Sequence, residues 1–260
     1  LRFCGAALRA AAVAIVTASH NPPEYNGLKV YAPSGAQIVS PQDQRIQAER
    51  VAAGAVMSLP RRAFAEAERE GRVAGVDGAV EEAYLSALDA QCQGPVPPPA
   101  QLRIVTTALH GVGHPWIERA LKRRGFGDLH PVVEQSEPDG EFPTVAFPNP
   151  EEPGALDLAL ALSARVEADL VVANDPDTDR LCVAICSPEG PARVLSGNEL
   201  GVLLGDWLLT RRREEGSLGK DPFVATTIVS TTMLSALAEA SSAACLHTLT
   251  GFKWIWKNAL

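Results

Sequence analysis

Two short apolar runs constrain the fold of this 260-residue chain more than any other feature. They occupy residues 11–18 and 168–173, and each passes directly into polar residues. A continuous apolar run of this length, bounded by turn residues, predicts a strand that is buried on both faces of a sheet. The polar residues that follow should therefore lie at strand ends, where α/β folds place their functional loops.

Helical and extended patterns alternate along the rest of the chain. Further strands are predicted at residues 28–31, 102–107, 181–186, 223–229 and 245–249. Helices are predicted at residues 42–56, 62–70, 80–88, 115–124, 154–166 and 231–240, and a further helix, capped by Ser196 or Asn198, should carry Leu200, Leu203, Leu204 and Trp207 on one face. This alternation predicts an α/β fold with mixed, largely parallel sheets.

A proline-rich segment divides the chain. Residues 94–99 (GPVPPP) can continue neither a helix nor a strand ladder, so residues 94–100 are predicted to form a linker between domains at 1–93 and 101–193. A third unit is predicted at 194–260. Because the chain opens at Leu1 in what resembles a strand, we expect it to be a fragment of a longer protein.

Composition excludes several classes of function. A formal charge of −8 and an isoelectric point near 5.2 argue against a nucleic-acid partner, which requires a basic surface. No apolar run approaches the roughly 20 residues that cross a bilayer, so no membrane partner is expected. The five cysteines are scattered without a CxxC pair, which favours a reducing cytoplasm.

The polar segment at 174–180 (NDPDTDR) predicts a metal site. Asp175, Asp177 and Asp179 alternate along it, so in an extended loop their carboxylates would converge, and hard oxygen ligands of this kind suit Mg²⁺. A calcium loop of the helix-loop-helix type needs Gly at its sixth position and Glu at its twelfth, where this chain has Arg180 and Cys186. A solvated acidic turn would leave three like charges together without compensation.

The polar segment at 17–22 (TASHNP) offers a hydroxyl at a strand end. Ser19 is a candidate phosphate carrier, because a phosphoserine brings about −1.5 to −2 charges that a carboxylate-bound Mg²⁺ would help to neutralise. A Ser/His hydrolase is disfavoured, since His20 should point away from Ser19 in an extended segment and no GxSxG elbow is present. Lys29, ten residues further on, is a candidate proton shuttle or phosphate contact; a plain surface lysine is the alternative.

Together these segments resemble the α-D-phosphohexomutase superfamily, which includes phosphoglucomutases and phosphomannomutases. Residues 17–22 resemble its phosphoserine loop, residues 175–180 its metal loop, and residues 251–254 (GFKW) its sugar-recognition loop. Three further segments resemble the branch with type 2 phosphoglucomutases and phosphopentomutases: 108–113 (ALHGVG), 142–152 (FPTVAFPNPEE) and 196–200 (SGNEL). Thr178 stands where that family more often has Gly or Ala.

The resemblance implies repeated three-layer α/β domains around a cleft. It further implies a phosphoryl transfer between C1 and C6 of glucose or mannose phosphate, through phospho-Ser19 and a bisphosphorylated sugar. By the same resemblance, Lys29 would move a proton, Arg180 would help to orient the phosphoserine and His20 would line its loop as a further catalytic residue. Gly251, Phe252 and Lys253 would bind substrate. Mg²⁺ would be held by the three aspartates and Ser19, with glucose 1,6-bisphosphate as activator.

Several alternatives stay open from the sequence. One is a phosphopentomutase, which moves phosphate between C1 and C5 of ribose. Another is a truncated relic that binds sugar phosphate without catalysis, since the resemblance places the rest of the third domain and a fourth domain outside this chain. A magnesium-dependent phosphatase is weaker, because it would require water at the phosphoserine. The sequence leaves the preferred sugar and the oligomeric state open, and the 260 residues alone are expected to be inactive.

Overall fold

A computed structural model describes residues 2–92 and 102–259 of the chain. The predicted linker at 94–100 lies outside the described residues. Within these residues the strands form three sheets: β1 with β2, a five-stranded sheet of β3 to β7, and β8 with β9. The predicted α/β class with mixed sheets is confirmed.

The first unit combines a strand pair with helices. Its elements are α1 (Arg2–Ala7), β1 (Val13–Val16), β2 (Leu28–Tyr31), α2 (Gln42–Ala52), a 3-10 turn at Val56–Ser58, α3 (Phe64–Arg69) and α4 (Gly78–Gln91). The expectation that the chain opens in a strand is wrong, because residues 2–7, which include two alanines, are helical.

β1 is also less buried than its apolar sequence predicts. It pairs antiparallel with β2, Val16 opposite Leu28, and among the described strands it has no second neighbour. Its residues alternate between half-buried and exposed, and Val16 is 80% exposed. The prediction of burial on both faces is therefore wrong for β1, because within the described residues one face remains uncovered.

The second unit contains the largest sheet, with strand order β4-β3-β5-β6-β7. Its elements are β3 (Ile104–Thr107), α5 (His114–Arg123), β4 (Leu129–Pro131), a 3-10 turn at Val133–Gln135, α6 (Asp157–Val166), β5 (Leu170–Asn174), β6 (Leu181–Ser187) and β7 (Gly190–Val194). β3 is buried along its whole length, and its Val105 belongs to a core cluster with Val171 of β5 and Ala159 of α6. Burial of these apolar side chains fixes α6 on the sheet that presents the 174–180 loop.

Parallel pairing is confined to part of this sheet. β3 lies parallel to β4 and β5, whereas β6 runs antiparallel to both β5 and β7. The connections from β5 to β6 and from β6 to β7 are short, and only long crossovers can join adjacent strands in parallel. The sequence did not predict β4 and β7, each of which contains a proline and lies at an edge, where a missing N–H is tolerated.

The third unit begins at a capped helix. Its elements are α7 (Gly197–Glu214), β8 (Phe223–Thr227), α8 (Met233–Ala240), β9 (Ala244–Thr248) and α9 (Phe252–Ala259), with β8 and β9 parallel. Ser196 caps α7 through a capping box with Glu199, as one of the two sequence alternatives predicted. Leu203, Leu204 and Trp207 are exposed, whereas Leu209 is buried against α8. No helix in the described ranges is long and apolar enough to span a bilayer.

Helix α4 joins the first unit to the second. Tyr84 of α4 meets the Trp116 ring of α5 edge-on, with centroids 5.7 Å apart, and Arg123 of α5 forms ion pairs with Glu82 and Asp89. Trp116 therefore serves as a packing residue. These contacts pack α4 against α5.

Candidate active site

Ser19 lies in a tight turn directly after β1. The backbone N–H of Thr17 donates to the Gly27 carbonyl, and the Thr17 hydroxyl accepts from the Ser19 N–H at 2.8 Å. Ser19 itself has φ 58°, in the left-handed region. A Cβ on Gly27 would lie 2.2 Å from the Thr17 carbonyl oxygen, so this approach requires glycine.

The second loop, at residues 174–180, also turns sharply. Thr178 N–H donates to the Asp175 carbonyl, and Thr178 has φ 62°. One carboxylate oxygen of Asp175, Oδ1, accepts the N–H groups of Asp179 and Arg180, both at 3.0 Å. Each of Asp175, Asp177 and Asp179 places a carboxylate oxygen within 4.8 Å of the others. The carboxylates converge as predicted, but a turn brings them together rather than an extended segment.

The two loops meet at the Ser19 hydroxyl. Ser19 Oγ lies 3.1 Å from Asp175 Oδ2 and 3.0 Å from Asp177 Oδ1. Lys29 of β2 donates to Asp177 at 2.5 Å and to Asp179 at 2.9 Å. A hydroxyl, three carboxylates and a lysine, separated by up to 160 residues in sequence, thus occupy one site.

His20 and Arg180 complete the cluster. His20 Nδ1 lies 3.2 Å from Ser19 Oγ, and His20 Nε2 lies 3.3 Å from Arg180 Nη2. The sequence argument that His20 points away from Ser19 is wrong, because the left-handed turn at Ser19 brings the two side chains to the same side. A Ser-His hydrolase arrangement is still absent among these residues, since a cation rather than a carboxylate faces the far ring nitrogen.

Burial and like charge set the electrostatics of the site. Asp175 is fully buried, and burial together with the neighbouring aspartates raises its pKa to about 6, against the backbone N–H of Arg180. Burial alone would raise the pKa of Asp177, but the Lys29 hydrogen bond outweighs it and lowers that pKa. Burial works against the charge of Lys29, yet its bonds to Asp177 and Asp179 raise its pKa above the ordinary value. Burial, and then Arg180, lowers the pKa of His20.

The donor set fits a divalent cation. Three carboxylates converge, one of them completely buried, and among the described residues Lys29 is the cation that bonds two of them. Burial without a compensating positive charge raises the pKa of a carboxyl group. A hard cation bound there would supply that charge and stabilise the ionised carboxylate. Ser19 Oγ adjoins two of the three, so a phosphate on Ser19 would lie beside the same cation.

A loop that the sequence assigned no role supports the aspartates. Residues 108–113 follow β3, and Val112 N–H donates to the Pro176 carbonyl at 3.0 Å. A Cβ on Gly111 would lie 2.2 Å from Pro176 Cα and 2.4 Å from its carbonyl oxygen. Gly111 therefore allows the backbone of this loop to lie directly against the backbone of the aspartate loop.

Asn149 is a second residue that the sequence reasoning missed. It is buried, and its Oδ1 lies 3.3 Å from Arg180 Nη1. The resemblance of residues 142–152 to the family indicates that this region matters but assigns no role to Asn149.

The third family-like motif, at residues 251–254, lies at the start of α9. Gly251 has φ 116°, and Phe252 and Lys253 begin α9. Lys253 Nζ lies 5.3 Å from the Trp254 ring centroid, and Phe252 stacks on Trp256. In the part of the chain that the structure describes, no hydrogen bond or ion pair joins Gly251 or Lys253 to the Ser19 cluster, so substrate binding by these residues stays a prediction.

Three family models match successive parts of the chain. They describe the α/β/α domains of phosphoglucomutase/phosphomannomutase: domain I over residues 1–54, domain II over 82–187 and domain III over 196–260. The Ser19 turn lies in the first match, the aspartate loop in the second and the 251–254 motif in the third.

Curated relatives match nearly the whole chain. A protein of Haemophilus influenzae named "Probable phosphomannomutase" is 41% identical over 94% of this chain and 48% of its own length. The phosphopentomutase of Mus musculus is 39% identical over 97% of this chain and 41% of its own length. The chain thus spans about half the length of the curated relatives that it matches.

Solved structures share the fold. A phosphoglucomutase/phosphomannomutase family protein from Burkholderia thailandensis superposes with a TM-score of 0.68, at 22% identity, over 95% of this chain and 47% of that one. The N-acetylphosphoglucosamine mutase of Aspergillus fumigatus, solved with GlcNAc-6P and magnesium, gives a TM-score of 0.52 at 16% identity, over 99% of this chain and 61% of that one. At these identities the likeness concerns the fold alone.

Proposed function

Because the chain belongs to the α-D-phosphohexomutase superfamily, we propose that its protein is a phosphosugar mutase that transfers a phosphoryl group between C1 and C6 of a hexose phosphate. The single observation that carries this proposal is the meeting of Ser19 Oγ with Asp175 and Asp177 at 3.1 and 3.0 Å. A phosphate carrier beside a hard-cation site is the minimum that such a transfer needs.

In the proposed cycle, phospho-Ser19 first gives its phosphoryl group to the free hydroxyl of the sugar phosphate. The bond from phosphorus to Ser19 Oγ breaks as a bond to the sugar oxygen forms, and the proton of the sugar hydroxyl finally resides on Ser19. The bisphosphorylated sugar then reorients and returns its other phosphate to Ser19. A sugar bisphosphate such as glucose 1,6-bisphosphate would therefore serve as activator, because it phosphorylates the free serine.

Mg²⁺ held by Asp175, Asp177, Asp179 and an oxygen on Ser19 would supply positive charge to the phosphoryl group in the loose transition state. Lys29 is protonated in the arrangement described, so it can neutralise phosphate charge at once. To accept a proton, it would first have to leave Asp177 and Asp179. By family resemblance, Gly251, Phe252 and Lys253 would contact the sugar phosphate.

A serine replacement tests this proposal. Ser19→Ala in the full-length gene product should abolish conversion of glucose 1-phosphate or mannose 1-phosphate, because among the described residues Ser19 is the one whose hydroxyl hydrogen-bonds the aspartate cluster. Ser34→Ala removes a serine that bonds only its own loop, so it is the matched control and should retain the wild-type rate. Full activity of Ser19→Ala would refute the assignment.

The same assay separates the alternatives. Preference for ribose 1-phosphate would favour a phosphopentomutase, the activity named in relatives of 38% and 39% identity. Release of inorganic phosphate without isomerised sugar would indicate a phosphatase. Binding of sugar phosphate without either product would indicate a relic. We further propose a cytoplasmic location, consistent with the scattered free cysteines.

A further inference from the structure

A rigid turn lies behind Arg180. Residues 148–150 have the sequence Pro-Asn-Pro; both prolines are fully buried and Asn149 is 6% exposed. The Asn149 carbonyl accepts the Glu152 N–H at 2.9 Å, and the side-chain Oδ1 accepts the Glu151 N–H at 3.2 Å. Because each proline fixes its own φ, this turn holds the Asn149 amide in one place.

From Asn149 a line of side chains reaches the reactive hydroxyl. Asn149 Oδ1 lies 3.3 Å from Arg180 Nη1, and Arg180 Nη2 lies 3.3 Å from His20 Nε2. His20 Nδ1 lies 3.2 Å from Ser19 Oγ. These contacts connect Asn149, through Arg180 and His20, to the oxygen that would carry the phosphate.

The direction of these hydrogen bonds follows from the chemistry of arginine. A guanidinium group only donates, so His20 Nε2 must accept from Arg180. A neutral imidazole carries one N–H, so that hydrogen lies on Nδ1 and is donated to Ser19 Oγ. The serine's own hydrogen is then free for a carboxylate, and both Asp175 and Asp177 are in reach.

We propose that Asn149 is a positioning residue, whose amide oxygen holds Arg180 so that His20 is fixed as the Nδ1–H tautomer with its N–H aimed at Ser19 Oγ. The proposal rests on the proposed function, in which the bond from phosphorus to Oγ breaks and Oγ keeps the electron pair. An N–H aimed at that oxygen stabilises the charge that develops there. His20 donates a hydrogen bond in this step and gives up no proton; the proton from the sugar hydroxyl is the one that ends on Oγ.

Two replacements of Asn149 separate this role from a structural one. Asn149→Ser keeps an oxygen that can accept the Glu151 N–H, as serine turns do, but is too short to hold Arg180. Asn149→Asp keeps an acceptor oxygen for both partners. Glu151→Gln is the matched control, because Glu151 pairs with Arg180 only at 3.8 Å and its side chain is 59% exposed.

The test is ¹⁵N NMR of the histidine-labelled full-length gene product, at a pH where the rings are neutral, combined with single-turnover transfer from phosphorylated Ser19. The wild type and Glu151→Gln should show His20 with hydrogen on Nδ1. In Asn149→Ser the Nε2–H form should appear and the transfer rate should drop about tenfold, the low end for groups that orient a functional histidine. Asn149→Asp should restore both.

A slower Asn149→Ser variant with an unchanged His20 tautomer would overturn the proposal, as would an unchanged rate, or failure of Asn149→Asp to restore the Nδ1–H form. The two proposals fail separately. If wild-type Ser19 takes no phosphate, the proposed function is wrong, whereas the tautomer spectra still decide whether Asn149 positions His20.

Discussion

A single methyl group at Gly111 should disrupt the aspartate loop at residues 174–180. In Gly111→Ala the new Cβ would lie 2.2 Å from Pro176 Cα, whereas ordinary contacts begin at 3.4 Å. The two backbones must therefore separate by about 1.2 Å, several times the tolerance of about 0.2 Å for metal–ligand distances. Overpacking of this kind costs about 1–3 kcal/mol of unfolding free energy. Affinity for Mg²⁺ should fall about tenfold or more, which corresponds to about 1.4 kcal/mol.

Gly140→Ala is the matched control, because a Cβ at Gly140 meets nothing within 4 Å. Urea unfolding gives the stability of each variant of the full-length gene product, and calorimetric titration gives its Mg²⁺ affinity. We expect Gly140→Ala to match the wild type in both measurements. If Gly111→Ala also matched it in both, close packing of residues 108–113 on the aspartate loop would not matter, and the reasoning would be wrong.

Three further predictions follow from individual contacts. Thr178→Gly should raise the unfolding free energy by about 1 kcal/mol in urea titrations, because a threonine at φ 62° is strained and its hydroxyl is buried without a partner; a loss of stability would contradict this. Mg²⁺ at about 100 times its Kd should add about 2.7 kcal/mol to the stability of the wild type and less than half of that to Asp177→Asn, as thermal unfolding would reveal. Ser196→Ala should cost about 1 kcal/mol at neutral pH by removing the cap of α7. Because bonds from Ser196 lower the pKa of Glu199, this difference should shrink as the pH drops below the usual glutamate range, and a difference that grew would refute the capping account.

Much of the fold could be predicted from the local sequence. β2 has the predicted bounds, and β3, β5, β6, α5 and α6 agree within a few residues, since apolar runs and helix formers indicate their own structure. The edge strands β4 and β7 are not predicted from the sequence, because a proline argues against a strand unless that strand is known to lie at the edge of a sheet. The exposure of Val16 likewise depends on which strands lie beside β1, which a local pattern does not contain.

The sequence indicates most of the residues that form the site, but it does not predict how their side chains are arranged. Ser19, Asp175, Asp177 and Asp179 were indicated by residue type and spacing, and the structure brings them together. The position of His20 was wrongly inferred, because a left-handed serine is invisible in the sequence. Asn149 and Gly111 contact residues far away in the chain, so no spacing rule could single them out.

The central claim is that Ser19 carries the phosphoryl group, and phosphopeptide mapping tests it most directly. The full-length gene product would be incubated with Mg²⁺ and glucose 1,6-bisphosphate, digested and analysed by mass spectrometry, with Ser34→Ala and Ser19→Ala treated in parallel. The account predicts one phosphate on Ser19 in the wild type and in Ser34→Ala, and none in Ser19→Ala. Phosphate on another residue, or an unmodified Ser19 while the bisphosphate is bound, would contradict it.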